Sequence, residues 1–480
     1  MLFSSLVFVL FFLPIVLIIY FLLGFSKKLQ NLFLLFSSLF FYAWGEPKYV
    51  FLMLASIFFN YLFGIIVDAK QKKGKNAKPA LIVAIVVNLS VLFVYKYLTF
   101  VVNNLNNFFG SDLINLPNII LPIGISFFTF QALSYVIDVY RGDAKVEKSF
   151  FNVGLYIAFF PQLIAGPIVR YNSIAEQIRN RKHTMRKFCA GCARFAMGFA
   201  KKILLANQFA VVADHIFELS ADSGGEIIVP VTLAWVGAGA YVLQIFFDFS
   251  AYSDMAIGLG LMFGFKFEEN FNYPYISKSV SEFWRRWHIS LSTWFREYVY
   301  FPLGGSHVDN QDRMVRNVFI VWLLTGIWHG ANWTFILWGF FNFVFILMER
   351  FTGFEKSEIP DFLKHVYLLL LTTLGMVIFR ADSLTDAMRY FQNMFGATGN
   401  GFFSDTALMF LKEYGVFFAA GILFSTPIVR RCDQVITENR MPVMGRVINA
   451  AYPFVLLFLF TVSVIYLVRG GYNPFIYFNF

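Results

Sequence analysis

Apolar residues in this chain come in long runs, not as narrow stripes on polar segments. The runs fall at 1–24, 29–45, 49–67, 80–101, 119–140, 150–169, 188–217, 227–249, 316–329, 333–348, 366–380, 405–425 and 448–468. A helix that crosses a bilayer needs roughly 20 mostly apolar residues, so the pattern predicts an all-α polytopic membrane protein with about ten to thirteen embedded segments. Two runs are interrupted, one by Pro122 and Gly124, the next by Pro161, Gly166 and Pro167. A helix broken at membrane depth persists only where protein or a water-filled cavity takes up the freed backbone groups. The middle of the chain is therefore expected to line a cavity or funnel. The first run is too long for a signal peptide and lacks a basic n-region and a small-residue cleavage site, so it reads as a retained span. With no repeat, no low-complexity linker and no soluble domain in view, residues 1–480 read as one membrane domain.

Composition supports the same class. Only 14% of residues are charged and 64 are Phe, against about 25% charged in soluble domains. The net charge of +10 sits largely in short loops beside apolar runs, which is a topogenic pattern and excludes nucleic acid as the partner. Lys70, Lys72, Lys73, Lys75 and Lys78 place the loop 68–79 in the cytoplasm, whereas 102–118 has no Lys or Arg and belongs outside. Lys27 and Lys28 then put the N-terminus outside. Arg430, Arg431, Arg440 and Arg446 mark an inner loop, so the last run exits outward and the tail 470–480 is expected to be extracytoplasmic. Three cysteines imply no disulfide framework. The Cys189–Cys192 spacing, among small apolar residues, reads as helix packing.

Two stretches carry candidate chemistry. In SVSEFWRRWHISLSTWFREYVYFPLGG (279–305), Phe283, Trp287, Leu291, Trp294 and Tyr298 follow helical spacing, with Arg285, Arg286 and Arg296 on other faces. Such a helix lies in the membrane interface, with His288 flanking its apolar side. It reads either as an interfacial anchor or as a functional histidine. In TGIWHGANW (325–333), His329 is the ionisable residue of an apolar run, which makes function the default reading. Gly326 and Gly330 would let a backbone or ligand approach, and Asn332 is a candidate hydrogen-bond partner. A histidine pair suits acyl transfer, which needs a base for the hydroxyl proton and a donor for the oxyanion or leaving thiolate. No nucleophile elbow, phosphate loop or HExxH is present, and His183, His215, His307 and His365 lack metal-ligand spacing. Gln131, Asp138, Gln244, Asp248 and Asp254 sit in apolar surroundings. The carboxylates read as structural ion pairs with Arg141, Arg285 or Arg296 as partners.

Long strings closely resemble the membrane-bound O-acyltransferase (MBOAT) family, in its bacterial branch of alginate and peptidoglycan O-acetylase membrane subunits. They are LPIGISFFTFQALSYVIDVYRG (121–142), FPQLIAGPIVR (160–170), QIFFDFSAYSDMAIGLG (244–260), ENFNYPYISKSVSEFWRRWHISLSTWFREYVYFPLGG (269–305) and TGIWHGANWTFILWG (325–339). The resemblance implies an MBOAT-like helical bundle, with broken and interfacial helices around a central tunnel. It implies that His329 is the catalytic histidine and His288 its partner, with Trp328, Asn332, Trp287, Arg285, Gln131 and Asp248 as tunnel or supporting residues. It further implies acetyl-CoA as a cytoplasmic donor substrate, no permanently bound cofactor and no metal. An extracytoplasmic SGNH-type acetyltransferase or esterase would finish transfer to a glycan. The tail ends in PFIYFNF (474–480). A related D-alanyl transfer system uses a similar Phe-Ile-Tyr ending on a small partner protein, so Tyr477 reads either as an acyl relay or as an aromatic interface anchor. Two rival readings stay open here, a glycan transporter or flippase and a non-catalytic assembly subunit of a polysaccharide export machine.

Overall fold

A computed structural model describes residues 1–110, 114–117, 119–222, 229–306, 310–397, 399–438 and 442–476. Its regular structure is helical, with no strand among the described residues. Among the described residues, eight helices are long and apolar enough to cross a membrane: Val50–Lys72, Lys78–Phe109, Met185–Ala221, Val231–Met262, Trp333–Thr352, Asp361–Arg380, Asp405–Phe424 and Val443–Val468. Phe8–Leu22 is a shorter apolar helix. Large side chains such as Phe51, Val416 and Phe454 stand 72%, 80% and 74% exposed on these helices. Apolar surface this extensive is incompatible with water as the surrounding solvent and is matched by hydrocarbon. The protein is an all-α, multi-pass membrane protein. The chain divides into two compact units, residues 1–195 with 252–268 and residues 196–251 with 269–480.

The first unit is built around the Ile125–Arg141 helix, nearly all of it buried. This helix starts after Gly124, whose φ of +75° is open to glycine and whose added Cβ would press on the Leu163 carbonyl at 2.8 Å. The interrupted stretch at 159–165 is buried in protein. Side chains take up its freed backbone groups. Phe160 N–H donates to Ser38 Oγ at 3.1 Å, and the Gln162 amide donates to the Tyr156 carbonyl at 2.6 Å. That is one of the two ways a broken helix survives in a membrane. The expected partner of Asp254 is revised. Asp254 pairs with Arg194 at 2.7 Å, and Asp138 accepts the Asn172 N–H at 3.0 Å.

In the second unit the Gln311–His329 and Trp333–Thr352 helices form a close hairpin. Glycines allow the approach. A Cβ on Gly326 would lie 2.5 Å from the Phe335 carbonyl oxygen, and one on Gly339 equally close to that of Trp322. The stretch expected as one interfacial helix is broken. It runs as Val280–Arg286, a turn at Trp287 and His288, Ile289–Phe295, and a wider π-helical turn at Arg296–Tyr300. The cause is non-local. The extended segment 270–272 takes the hydrogen bonds at the break, with Asn272 N–H donating to the Arg286 carbonyl at 2.9 Å and Ile289 N–H donating to the Asn270 carbonyl at 3.0 Å. The first short helix is anchored by Glu349, whose carboxylate accepts the N–H groups of Val280 and Ser281 at 2.6 and 2.9 Å. Those are orphan donors that a helix N-terminus must place somewhere.

Candidate active site

His288 stands at the break with φ +43° and ψ +53°, left-handed values that a non-glycine residue adopts only under constraint. It is 1% exposed. The constraint is a hydrogen-bonded pin. Asn270 Oδ1 accepts the Ser290 N–H at 3.1 Å and the Ser290 hydroxyl at 2.9 Å, and it faces His288 Nδ1 at 3.2 Å. The Ser290 amide can only donate, so the Asn270 atom is an oxygen, and the nitrogen that faces it must carry the proton. Nε2 is therefore the bare nitrogen, and it has no hydrogen-bond partner among the described residues. Phe249 meets the ring edge-on at 4.6 Å. Burial without a counter-charge pulls the His288 pKa down to about 3, so the imidazole is neutral at physiological pH.

His329 ends its helix and is 5% exposed. Its surroundings differ in kind. Trp328, Trp338 and Phe379 meet it edge to face, each with ring centroids 5.0 Å away. Trp328 also reaches the His288 ring at 5.9 Å, so one indole touches both imidazoles. Beside this cluster lies a cavity of about 350 Å³, lined by Phe335, Phe379, Arg380, Asp214, Tyr241 and Asn332 among others. Phe379 both lines the cavity and packs on His329. The far wall is polar. Arg380 pairs with Asp214 at 3.0 Å, and the Tyr472 hydroxyl donates to the other Asp214 oxygen at 2.9 Å. Partial burial and that carboxylate push the Tyr472 phenol up to about 12, which keeps it a donor near neutrality.

The remaining expected site residues fall into different settings. Asn332 is a helix cap: its Oδ1 accepts the Thr334 N–H at 3.2 Å, and its amide donates to the Asp382 carbonyl at 2.7 Å. No hydrogen bond between Asn332 and His329 is seen among the described residues. Trp287 packs on Phe283, Phe271 and Tyr275 beneath the break. Arg285 pairs with Glu355 on an open surface, its side chain 58% exposed. Asp248 is paired with Lys202 at 2.7 Å, both side chains 3% exposed. Gln131 belongs to the first unit, where it is fully buried. Tyr477 lies outside the described residues. Sequence reasoning passed over Asn270, Phe379 and Lys202. Lys202 carried a usable signal, being an ionisable residue inside the run 188–217. No three His, Cys, Asp or Glu side chains gather around a metal position among the described residues.

Comparison with known proteins now defines the class. The membrane-bound O-acyltransferase family model matches residues 144–369. A probable alginate O-acetylase of Pseudomonas putida is 41% identical over the whole of both chains. One from Pseudomonas aeruginosa is 46% identical over 82% of this chain and 75% of its own. A peptidoglycan O-acetyltransferase of Helicobacter pylori is 34% identical over 83% of this chain and 80% of its own. The chain belongs to the membrane-bound O-acyltransferase family. Within it, similarity to alginate O-acetylases, in one case along the full length, and to the peptidoglycan enzyme over more than four fifths of this chain makes it a membrane O-acetyltransferase.

Proposed function

We propose that the protein takes acetyl from acetyl-CoA on the cytoplasmic side of the cell membrane and passes it outward to a cell-wall or exopolysaccharide glycan. The observation that carries this reading is the pair of buried imidazoles joined through Trp328, in a chain similar to two kinds of polysaccharide O-acetylase. Transfer to a hydroxyl removes one proton from oxygen and returns one to the leaving thiolate. His329 serves as the base for the first step and as the acid for the second. His288 has a fixed Nδ1–H, so its open Nε2 can accept a hydrogen bond and cannot donate one. It therefore orients an acceptor hydroxyl rather than an oxyanion. Neutral His288 also adds no positive charge that would make His329 a weaker base. Phe379 must swing aside for a substrate in the cavity to reach His329.

In this reading the N-terminus and the tail are extracytoplasmic, and an SGNH-type acetyltransferase or esterase receives the acetyl group from the membrane subunit. Tyr477 is the relay: its phenol attacks the thioester carbonyl, CoA thiolate leaves with the proton, and the aryl acetate then acylates the partner's serine. The acceptor glycan is chosen by that partner. The test is acetyl-CoA consumption and glycan acetylation by membranes carrying the full-length chain and its partner. Tyr477→Phe should abolish glycan acetylation, and undiminished transfer by that variant would end the relay.

A further inference from the structure

The Lys202–Asp248 ion pair is fully enclosed, and its remaining hydrogen-bonding capacity is directed at the tail. Lys202 Nζ donates to the Pro474 carbonyl, and Asp248 Oδ2 accepts the Ile476 N–H at 3.0 Å. The pair itself closes between Lys202 Nζ and Asp248 Oδ1 at 2.7 Å. Asn207 adds a donor to the Asn473 side-chain oxygen at 3.2 Å. Phe475 and Ile476 are themselves buried, 6% and 7% exposed.

Two features of this arrangement stand out chemically. The contacts at 474 and 476 are to main-chain atoms, so they read the position of the tail and not its side chains. A buried ion pair is stable only when its leftover protons and lone pairs are also satisfied, and here the tail does part of that. We propose that the Lys202–Asp248 pair is a receptor for the main chain of the C-terminal tail. It fixes the tail's register and so determines where the residues after Ile476 are delivered. Tyr472, held by Asp214, is the outer tether of the same segment. The proposal deepens the relay reading, since register matters most if Tyr477 must meet a thioester, yet it can be tested without any acyl transfer.

The experiment uses the full-length chain with Cys189, Cys192 and Cys432 replaced by Ser, and with Asn207→Cys and Asn473→Cys introduced as a register probe. A short bis-thiol reagent such as dibromobimane should join these two positions efficiently, since their side chains meet at 3.2 Å. The decisive variant adds the exchange Lys202→Asp with Asp248→Lys. It keeps a buried, neutral pair but turns a carboxylate toward the Pro474 carbonyl and an ammonium toward the Ile476 N–H. Cross-link yield should fall by about tenfold, the scale of leaving a buried group without its partner. Lys202→Met, which keeps length but removes the ammonium with its charge and its donors to both Asp248 and Pro474, should lower the yield in the same direction and serves if the exchanged chain does not fold. Parental yield in either folded variant overturns the proposal. Tyr477→Phe should leave the cross-link intact. A chain that cross-links normally and still transfers acetyl with Phe at 477 would defeat the relay while leaving the receptor standing.

Discussion

The two histidines are held by opposite means. His288 is pinned by polar atoms: a strained backbone, an asparagine oxygen shared with Ser290, and one nitrogen left bare. His329 is held by shape, between two indoles and a phenyl ring at the end of a regular helix. The difference teaches what each can do. A ring fixed through Nδ1–H is committed to one tautomer and works as a hydrogen-bond acceptor in a set direction. A ring lodged among aromatic edges takes its place from packing, and a base that later acts as an acid must exchange its proton. The contrast also separates a site formed by long-range polar pairing from one formed by aromatic packing between helices.

The largest test removes each ring in turn. His329→Ala should lower acetyl transfer by about 10³-fold, within the range ascribed to general acid–base catalysis. His288→Ala should cost less, about 10²-fold, because it removes orientation and leaves the proton carrier in place. Acetyl transfer in purified membranes, with folding checked by size-exclusion in detergent, decides the order. Equal transfer by His329→Ala and the parent would remove that residue from the chemistry.

The second test takes the pin and leaves the ring. Asn270→Ala should release His288 from its tautomer and lower transfer by about tenfold, while Asn270→Asp should restore part of it by accepting from the same Nδ1–H. Acid stability checks the burial of the ring independently. An imidazole with a pKa near 3 when folded and about 6.5 when unfolded binds more protons in the unfolded state across that interval, so stability rises with pH there and is lost as pH falls below about 6.5. The loss should approach about 1 kcal/mol per pH unit. His288→Gln should remove that slope, and its thermal midpoint should drop less than the parent's between pH 7 and 5.

How much of this was legible in the sequence follows from the same contrast. The helices were legible because long apolar runs admit few alternatives in a bilayer, and His329 was legible because an ionisable residue in such a run needs a reason to be there. The setting of His288 was not. Its neighbours follow unbroken helical spacing through 283–298, and the break comes from residues 270–272, which pair with it across the fold. The partner of Asp248 was missed because arginines were sought and a lysine in an apolar run was overlooked. Phe379 gave no signal, since a phenylalanine among apolar neighbours reads as packing. The interrupted stretches pointed to a cavity, and in one of them Ser38 and Gln162 take up freed backbone groups directly, which the sequence did not signal.

The third test acts on the aromatic setting alone. Phe379→Leu should open His329 to the cavity without unseating it, at a stability cost of about 1 kcal/mol for a shape change in a packed site. Reaction with an imidazole-directed acylating reagent should then rise several-fold at His329, read by peptide mass. Reaction at His288, which Phe379 does not touch among the ring contacts seen, should stay as it was. A parallel rise at both rings would mean that the two settings open together and that the contrast between them is false.

Arg285 supplies the smallest expected effect and the control for all the others. It lies one turn before His288 in sequence, and it was expected among the tunnel or supporting residues. The structure turns it outward, where it meets Glu355 at 2.7 Å with both side chains largely in the open, 58% and 42% exposed. An ion pair so placed contributes from about 0 to 1 kcal/mol, and less as salt rises. Arg285→Ala should therefore leave acetyl transfer within about twofold of the parent and shift stability by under about 1 kcal/mol. It should leave the acid-stability slope untouched, because the Asn270 pin does not depend on it. If Arg285→Ala instead lowered transfer as far as Asn270→Ala does, the short helix ahead of the break would be positioning His288 through its exposed face, and the pin would have to be shared between the Asn270 side and the Arg285–Glu355 side.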